Sequence, residues 1–411
     1  MDSLVRRTEL ENGIRIVTER MPFVRSVSIG VWIEAGTIDE TTSNNGISHF
    51  LEHLLFKGTK TKSAMEIASS LESLGGSING STGKEFSVYS AQVLDENKDI
   101  AIDVLSDLIQ NPRFDKNDIA LEKNVVIAEI NHAQEDPEEL LMDLFYQKMF
   151  PDHPLGYFIY GSKENVQSFS RNDLANYRES FYTPNHLIFA AAGNVDHQEF
   201  VDLVLRNISP MSNHSPGNRN SDLPEPAKGL YNIQVNGFQQ AHICLGVRTF
   251  GFNDERKYPM ALMDVLLGGG MSSRLFQNIR EKYGFAYAVY SFTDLLKDAG
   301  VWGTYMACSE DKADDAIELL RKELLKLANH GVSEDELDRV KSQVKGNILL
   351  GLESSARRMR KIGENEYYAS PHLTLTEVLT KIMNVKSDEI TTLAQQYFDD
   401  SQFCTIVLKP I

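Results

Sequence analysis

The chain has 411 residues, 42% of them hydrophobic and 24% charged, a balance that supports a large buried core and leaves room for two domains. Its formal net charge of −17 makes nucleic acid and anionic membranes poor partners. No run of 18 apolar residues marks a membrane-spanning helix.

In chain order, the opening "MDSLVRRTELENGIRIVTER" has no apolar signal core and no small-residue cleavage site, and its early acidic residues are unlike a transit peptide. The expected location is the cytoplasm. "SVSIGVWIEAG", residues 26–36, reads as a strand, and "ISHFLEHLLF" as an apolar helix. A short helix, a Gly turn and a strand follow in "LESLGGSINGSTGKEFSVYSAQV". Two long helices come next, "KDIAIDVLSDLIQNP" and "FDKNDIALEKNVVIAEI", and "PNHLIFAAAGNV" reads as a closing strand. Residues 209–229 hold four of the thirteen prolines and almost nothing apolar, so an exposed linker is expected there.

After the linker the same order returns. "AHICLGVRTFG" matches the first strand, "PMALMDVLL" the apolar helix, and "IREKYGFAYAVYSFTDLLKDAGVWGTYMAC" the helix, turn and strand. "ADDAIELLRKELLKLANHG" and "VSEDELDRVKSQVKGNILL" match the long helices, and "SQFCTIVLKP" the closing strand. The expectation is an α+β fold of two homologous domains, residues 1–209 and 230–411, joined by a linker at 210–229. Cys244, Cys308 and Cys404 are scattered among apolar residues and read as buried thiols, neither a disulfide framework nor a zinc site.

The first copy carries a chemistry that the second lacks. His49 and His53 are four residues apart, one helical turn, with Glu52 about 60° to one side of His49. Two imidazoles so spaced can share one zinc ion, and a neighbouring carboxylate can take a proton from a water. A lone helical histidine is usually a core or surface residue, but H-x-x-E-H on an apolar helix is a hydrolase pattern. A third ligand must come from elsewhere, and Glu129, set among Val125, Val126, Ile127, Ala128 and Ile130, is the candidate, since a carboxylate there needs a partner. Glu122, two turns earlier on nearly the same face, is placed to fix the tautomer of a ligating histidine. In the second copy Ala261 and Val265 stand opposite the histidines and Asn347 opposite Glu129. Gly268 to Gly270 lack the phosphate-loop pattern and read as a turn.

The blocks "HFLEHLLFKGT", "GGSINGSTGKEFSVYSA", "LEKNVVIAEI", "FYTPNHLIFAAAGNV" and "GGGMSSRLFQNIREKYGFAYAVYSF" resemble the pitrilysin-type zinc metallopeptidases. The likeness is to the half-length branch that includes mitochondrial processing peptidase and its bacterial relatives, and it spans essentially the whole chain. It implies that His49, His53 and Glu129 bind zinc, that Glu52 is the general base and that Glu122 supports the site. It also implies that Arg280 and Tyr287 bind substrate, and that Asn79 lies on a strand that pairs with the substrate backbone. Gly80 departs from the family, where Ala is common; pairing should survive but the strand could loosen.

The same resemblance implies one half of a clam-shell, with two chains enclosing a chamber for unfolded peptides. A homodimer is the simpler expectation, with Arg280 and Tyr287 of one chain serving the metal of the other. The acidic charge would favour basic peptides. The alternatives are a catalytically silent partner subunit, which predicts eroded ligands, and a zinc hydrolase acting on something other than peptides.

Overall fold

The computed structural model describes residues 5–211, 219 and 222–411. Most of the central part of the expected linker lies outside the described residues. From Val5 to Asn207 the chain runs β1 (Val5–Glu9), β2 (Arg15–Arg20), β3 (Ser26–Ile33), α1 (Ile47–Leu55), α2 (Ala64–Glu72), β4 (Ser77–Thr82), β5 (Ser87–Leu94), α3 (Lys98–Gln110), α4 (Lys116–Glu135), α5 (Pro137–Met149), α6 (Lys163–Ser168), α7 (Arg171–Phe181), β6 (Leu187–Gly193) and α8 (His197–Asn207). From Gly229 it runs β7 (Gly229–Val235), β8 (Ala241–Thr249), α9 (Lys257–Gly268), β9 (Ala286–Leu295), β10 (Gly300–Cys308), α10 (Ala313–His330), α11 (Glu334–Gly351), α12 (Ser355–Tyr367), α13 (Leu375–Asn384), α14 (Ser387–Tyr397) and β11 (Cys404–Pro410).

The duplication is visible in strand order. The first sheet is β1-β2-β6-β3-β5-β4 and the second β7-β11-β8-β10-β9. Omitting β1, each position matches its counterpart, including the parallel pairs β2/β6 and β7/β11 in otherwise antiparallel sheets. The fold is α+β with two homologous sheet domains.

The strand patterns explain how the compact units form. In β3, Val27, Ile29, Val31 and Ile33 enter one apolar cluster with Phe50, Leu51, Leu54 and Leu55 of α1. Ser28, Gly30 and Trp32 face the other way and are also covered. Their cover is α12: the Ser28 hydroxyl lies 2.9 Å from that of Ser355, a Cβ on Gly30 would stand 2.6 Å from Met359 Sδ, and one on Gly363 would stand 2.3 Å from the Trp32 ring. Residues 355, 359 and 363 recur every four positions and so form one helix face.

The reciprocal arrangement holds in the second sheet. There α5, from the first half of the sequence, lies on β8 and β11, and a Cβ on Gly246 would meet Phe145 at 2.6 Å. The described residues within Met1–Ile130, Tyr157–Asn220 and Gly351–Thr374 therefore form one compact unit, and those within Asn131–Gly156, Ser221–Leu350 and Leu375–Ile411 a second. This departs from a simple division at 209 and 230. Strands apolar on both faces need a second helical layer, and each half supplies that layer to the other's sheet.

The linker expectation also fails at one residue. Arg219 donates to both carboxylate oxygens of Asp39, to the Tyr367 hydroxyl and to the carbonyls of Glu34 and Glu85, all within the first unit. The three cysteines are buried free thiols. Among the described residues, no helix is long and apolar enough to cross a membrane.

Candidate active site

The site is built on α1, nine residues held at both ends. Gly46 precedes it with φ of 98°, and a Cβ there would lie 2.5 Å from the Tyr160 carbonyl oxygen, so the entry turn requires glycine. The buried carboxylate of Glu40 accepts from the backbone N–H of Gly46 and Ser48, each at 2.9 Å, and from Asn45 Nδ2 at 2.8 Å. It thereby satisfies donors that a helix start otherwise leaves open, at the end where negative charge is favoured. Beyond the C-terminus, the hydroxyls of Thr59 and Thr61 donate to Asp107 at 2.5 and 2.6 Å, anchoring the exit loop.

With Phe50, Leu51, Leu54 and Leu55 in the core, the remaining sector of α1 presents His49 and His53 to α4 and Glu52 to β4. His49 Nε2 lies 3.7 Å from Glu129 Oε1, and His53 Nε2 lies 3.3 Å from Glu129 Oε2. One donor atom from each of the three residues falls within 4.8 Å of the others, a group able to hold a metal ion. His53 Nδ1 donates to Glu122 Oε1 at 2.9 Å, while Lys57 Nζ lies 2.7 Å from Glu122 Oε2. Thr82 Oγ1 donates to Glu52 Oε2 at 2.6 Å.

The donor set fits a divalent cation. Tetrahedral ligands about 2.1 Å from zinc sit about 3.4 Å apart, close to the separations of Glu129 from both histidines. His49 Nδ1 and Glu129 Oε2 are sealed from solvent without a well-formed hydrogen bond among the described residues. Two imidazoles and a carboxylate are the nitrogen and oxygen donors that zinc accepts.

Electrostatics separate the two histidines in the metal-free chain. Burial, with repulsion from His53, lowers His49 to about 4 against the pull of Glu129. Burial also opposes charge on His53, but the carboxylates of Glu122 and Glu129 outweigh it and raise His53 to about 9. Burial pushes Glu52 above the usual carboxylate range, against the Thr82 bond and the charge of His53. Glu122 stays below its usual range: burial acts the other way, but the bonds from His53 and Lys57 win.

One part of the sequence argument for Glu129 does not survive. Its apolar neighbours are not a buried shell, since Val125 is 48% exposed and the Glu129 side chain 40% exposed. The helix is amphipathic, with Val126 and Ile130 turned inward. What aligns Glu129 with the histidines is its seven-residue spacing from Glu122, which brings both carboxylates to one face of α4.

Asn79 is exposed on β4, which among the described residues pairs with β5 alone and so leaves one edge of the sheet open. A Cβ on Gly80 would stand 2.8 Å from Glu52 Oε1, so glycine admits the strand close to this carboxylate. Arg280 and Tyr287 belong to the second unit. Arg280 lies on a π-helical turn, Phe276–Lys282, with its guanidinium 4.7 Å from the Phe276 ring centre and 5.7 Å from that of Tyr287. Tyr287 is 76% exposed, so its ring is not a packed sheet aromatic. Sequence reasoning missed Glu40, Lys57 and Thr82. Only Lys57 carried a signal, one turn beyond His53 on the same side.

Two family models match the chain. Residues 15–163 match the description "Insulinase (Peptidase family M16)" and residues 168–344 match "Peptidase M16 inactive domain". YmxG of Bacillus subtilis, named an uncharacterized zinc protease, is 36% identical over 406 residues, covering 98% of both chains. The chain belongs to peptidase family M16. Another relative of the same description, from Streptomyces coelicolor, is 37% identical over 401 residues, covering 95% of this chain and 86% of that one. The fold matches the crystal structure of a protease from Helicobacter pylori with a TM-score of 0.94 at 22% identity over the full length of both chains. It also matches a chain of Complex III2 from Candida albicans, with a TM-score of 0.84 at 20% identity over 98% of this chain and 95% of that one. The M16 fold therefore occurs at this half-length in proteins of diverged sequence.

Proposed function

We propose that this chain is a zinc-dependent endopeptidase in which His49, His53 and Glu129 hold the ion. The observation that carries the reading is the convergence of one donor atom from each of these residues within 4.8 Å, beside Glu52. Zinc, when bound, supplies Lewis-acid polarisation of a peptide carbonyl and makes a water easier to deprotonate. Glu52 accepts the proton of the attacking water and delivers it to the leaving amine. Its elevated basicity, from burial, suits that exchange. Thr82 holds Oε2 of Glu52 and leaves Oε1 turned towards Gly80. Glu122 accepts a hydrogen bond from Nδ1–H of His53 and keeps the proton on that nitrogen, so that Nε2 is the one left to hold the ion.

An extended peptide adding to the open edge of β4, beside Asn79, would place its backbone next to Glu52. Arg280 and Tyr287 are donors suited to a substrate carbonyl, and in a homodimer they would serve the partner's site. The family name zinc protease, carried by relatives of near-equal length, supports the same chemistry.

The test is zinc content together with hydrolysis of a quenched peptide, comparing wild type with Glu52→Gln. One zinc per chain in both, with hydrolysis reduced about 10²- to 10⁴-fold in the variant, is expected. Unchanged hydrolysis would overturn the assignment.

A further inference from the structure

Lys57 lies just beyond α1, on the exit loop that Asp107 anchors through Thr59 and Thr61. Its carbonyl accepts from Arg113 Nη2 at 3.2 Å, so the backbone at this position is fixed on both sides. Its ammonium lies 2.7 Å from Glu122 Oε2, and the other oxygen of that carboxylate accepts from His53 Nδ1 at 2.9 Å. The Glu122 side chain is only 4% exposed, whereas that of Lys57 is 39% exposed. A bridge therefore runs from a half-exposed cation through a buried carboxylate to a histidine of the candidate metal group.

We propose that Lys57 is a positioning residue for metal binding, fixing the plane of the Glu122 carboxylate so that His53 presents Nε2 to the ion. The inference rests on the zinc-site reading above. Each oxygen of Glu122 has one of these partners. Removing Lys57 takes from buried Oε2 its ammonium partner and leaves it free to turn towards solvent or to compete for the Nδ1 proton. The group bonded to a ligating histidine, here Glu122, typically changes metal affinity by about 10- to 100-fold, and Lys57, which acts through it, is expected at the low end of that range.

The sign of the effect separates this role from simple charge. By Coulomb's law alone, deleting a cation near a metal site strengthens binding of another cation. A positioning role predicts the opposite. Its partner Glu122 must also be required, so the two substitutions should not add.

The experiment is competition for zinc between the metal-free full chain and a chromophoric chelator at fixed pH, with the melting temperature of each metal-free variant measured in parallel. Lys57→Met should weaken zinc binding about 10-fold while lowering the metal-free melting temperature only modestly, the chain staying folded. Lys57→Arg should recover most of the loss. Lys57→Met added to Glu122→Gln should weaken binding by less than about 2-fold further, because the carboxylate it acts through is already gone. Lys57→Gln serves in the same cycle if the methionine variant does not fold. Unchanged or tighter zinc binding in Lys57→Met, or a full additive loss in the double variant, overturns the inference while leaving the zinc site intact. A wild-type chain that takes up no zinc overturns both.

Discussion

At the scale of single residues, the site depends on small groups that set where larger ones point. Gly46 is one. An alanine there would carry φ of 98° and bring a methyl within 2.5 Å of the Tyr160 carbonyl oxygen. Gly46→Ala should therefore destabilise the protein by about 2–3 kcal/mol, read as a lower denaturant midpoint. Thr82 is another: its hydroxyl is the hydrogen-bond donor to Glu52 Oε2, at 2.6 Å. Thr82→Val should lower kcat about 10-fold with KM and zinc affinity unchanged, and Thr82→Ser should restore the rate. A loss of zinc together with the rate would mean that Thr82 supports the metal group instead. The candidate metal and base residues could be read from spacing because His49, Glu52 and His53 lie within one helical turn. Thr82 could not, because it lies thirty positions on, at the end of β4, with α2 in between.

At the scale of elements, packing overrides local preference. Alanine is a better helix former than glycine by about 1 kcal/mol, yet a Cβ on Gly363 of α12 would stand 2.3 Å from the Trp32 ring. Gly363→Ala should destabilise by about 1–3 kcal/mol, since a fully buried indole cannot move aside. A gain in stability would show that α12 can shift on the sheet. The start of α11 gives a pH-dependent case. Glu336 is bonded by Arg274 at 2.9 and 3.0 Å and shares a reciprocal cap with Ser333. The Arg274 bonds, against some burial, depress Glu336 to about 2. A depressed carboxylate stabilises above its ordinary range, near 4.5, and that contribution is lost as pH falls towards 2. Glu336→Gln should cost about 1 kcal/mol at pH 7, discounted for solvent screening, and well under half of that near pH 2. Denaturation midpoints of both proteins at the two pH values check this.

At the scale of the whole molecule, the duplication divides the candidate site residues between copies. The first unit carries His49, Glu52, His53 and Glu129, and the second carries Arg280 and Tyr287. The proposed homodimer makes each chain both donor and acceptor. Mixing Glu52→Gln chains with Tyr287→Phe chains should then restore activity, because mixed dimers contain one site with both elements intact. Verified mixed dimers with no recovery would show that Arg280 and Tyr287 do not act on the partner's site. Charge enters at this scale as well, since a chain of net charge −17 should cleave basic peptides faster, with the preference fading as salt rises. A peptide panel with no preference for Lys or Arg at low salt would remove that expectation.

The sequence by itself determined the duplicated α+β order, the helix sector of His49, Glu52 and His53, and the shared face of Glu122 and Glu129. All of these follow from periodicity within a single helix or from the repetition of whole segments. The tertiary structure alone decided which helices cover which sheet. A strand apolar on both faces announces that it needs cover, but nothing local says that α12 shields β3 or that α5 shields β8. It also decided that Arg219 leaves an otherwise proline-rich linker to bind Asp39, and that Lys57 meets Glu122. Those pairings join residues tens to hundreds of positions apart, and only the folded backbone fixes such distances.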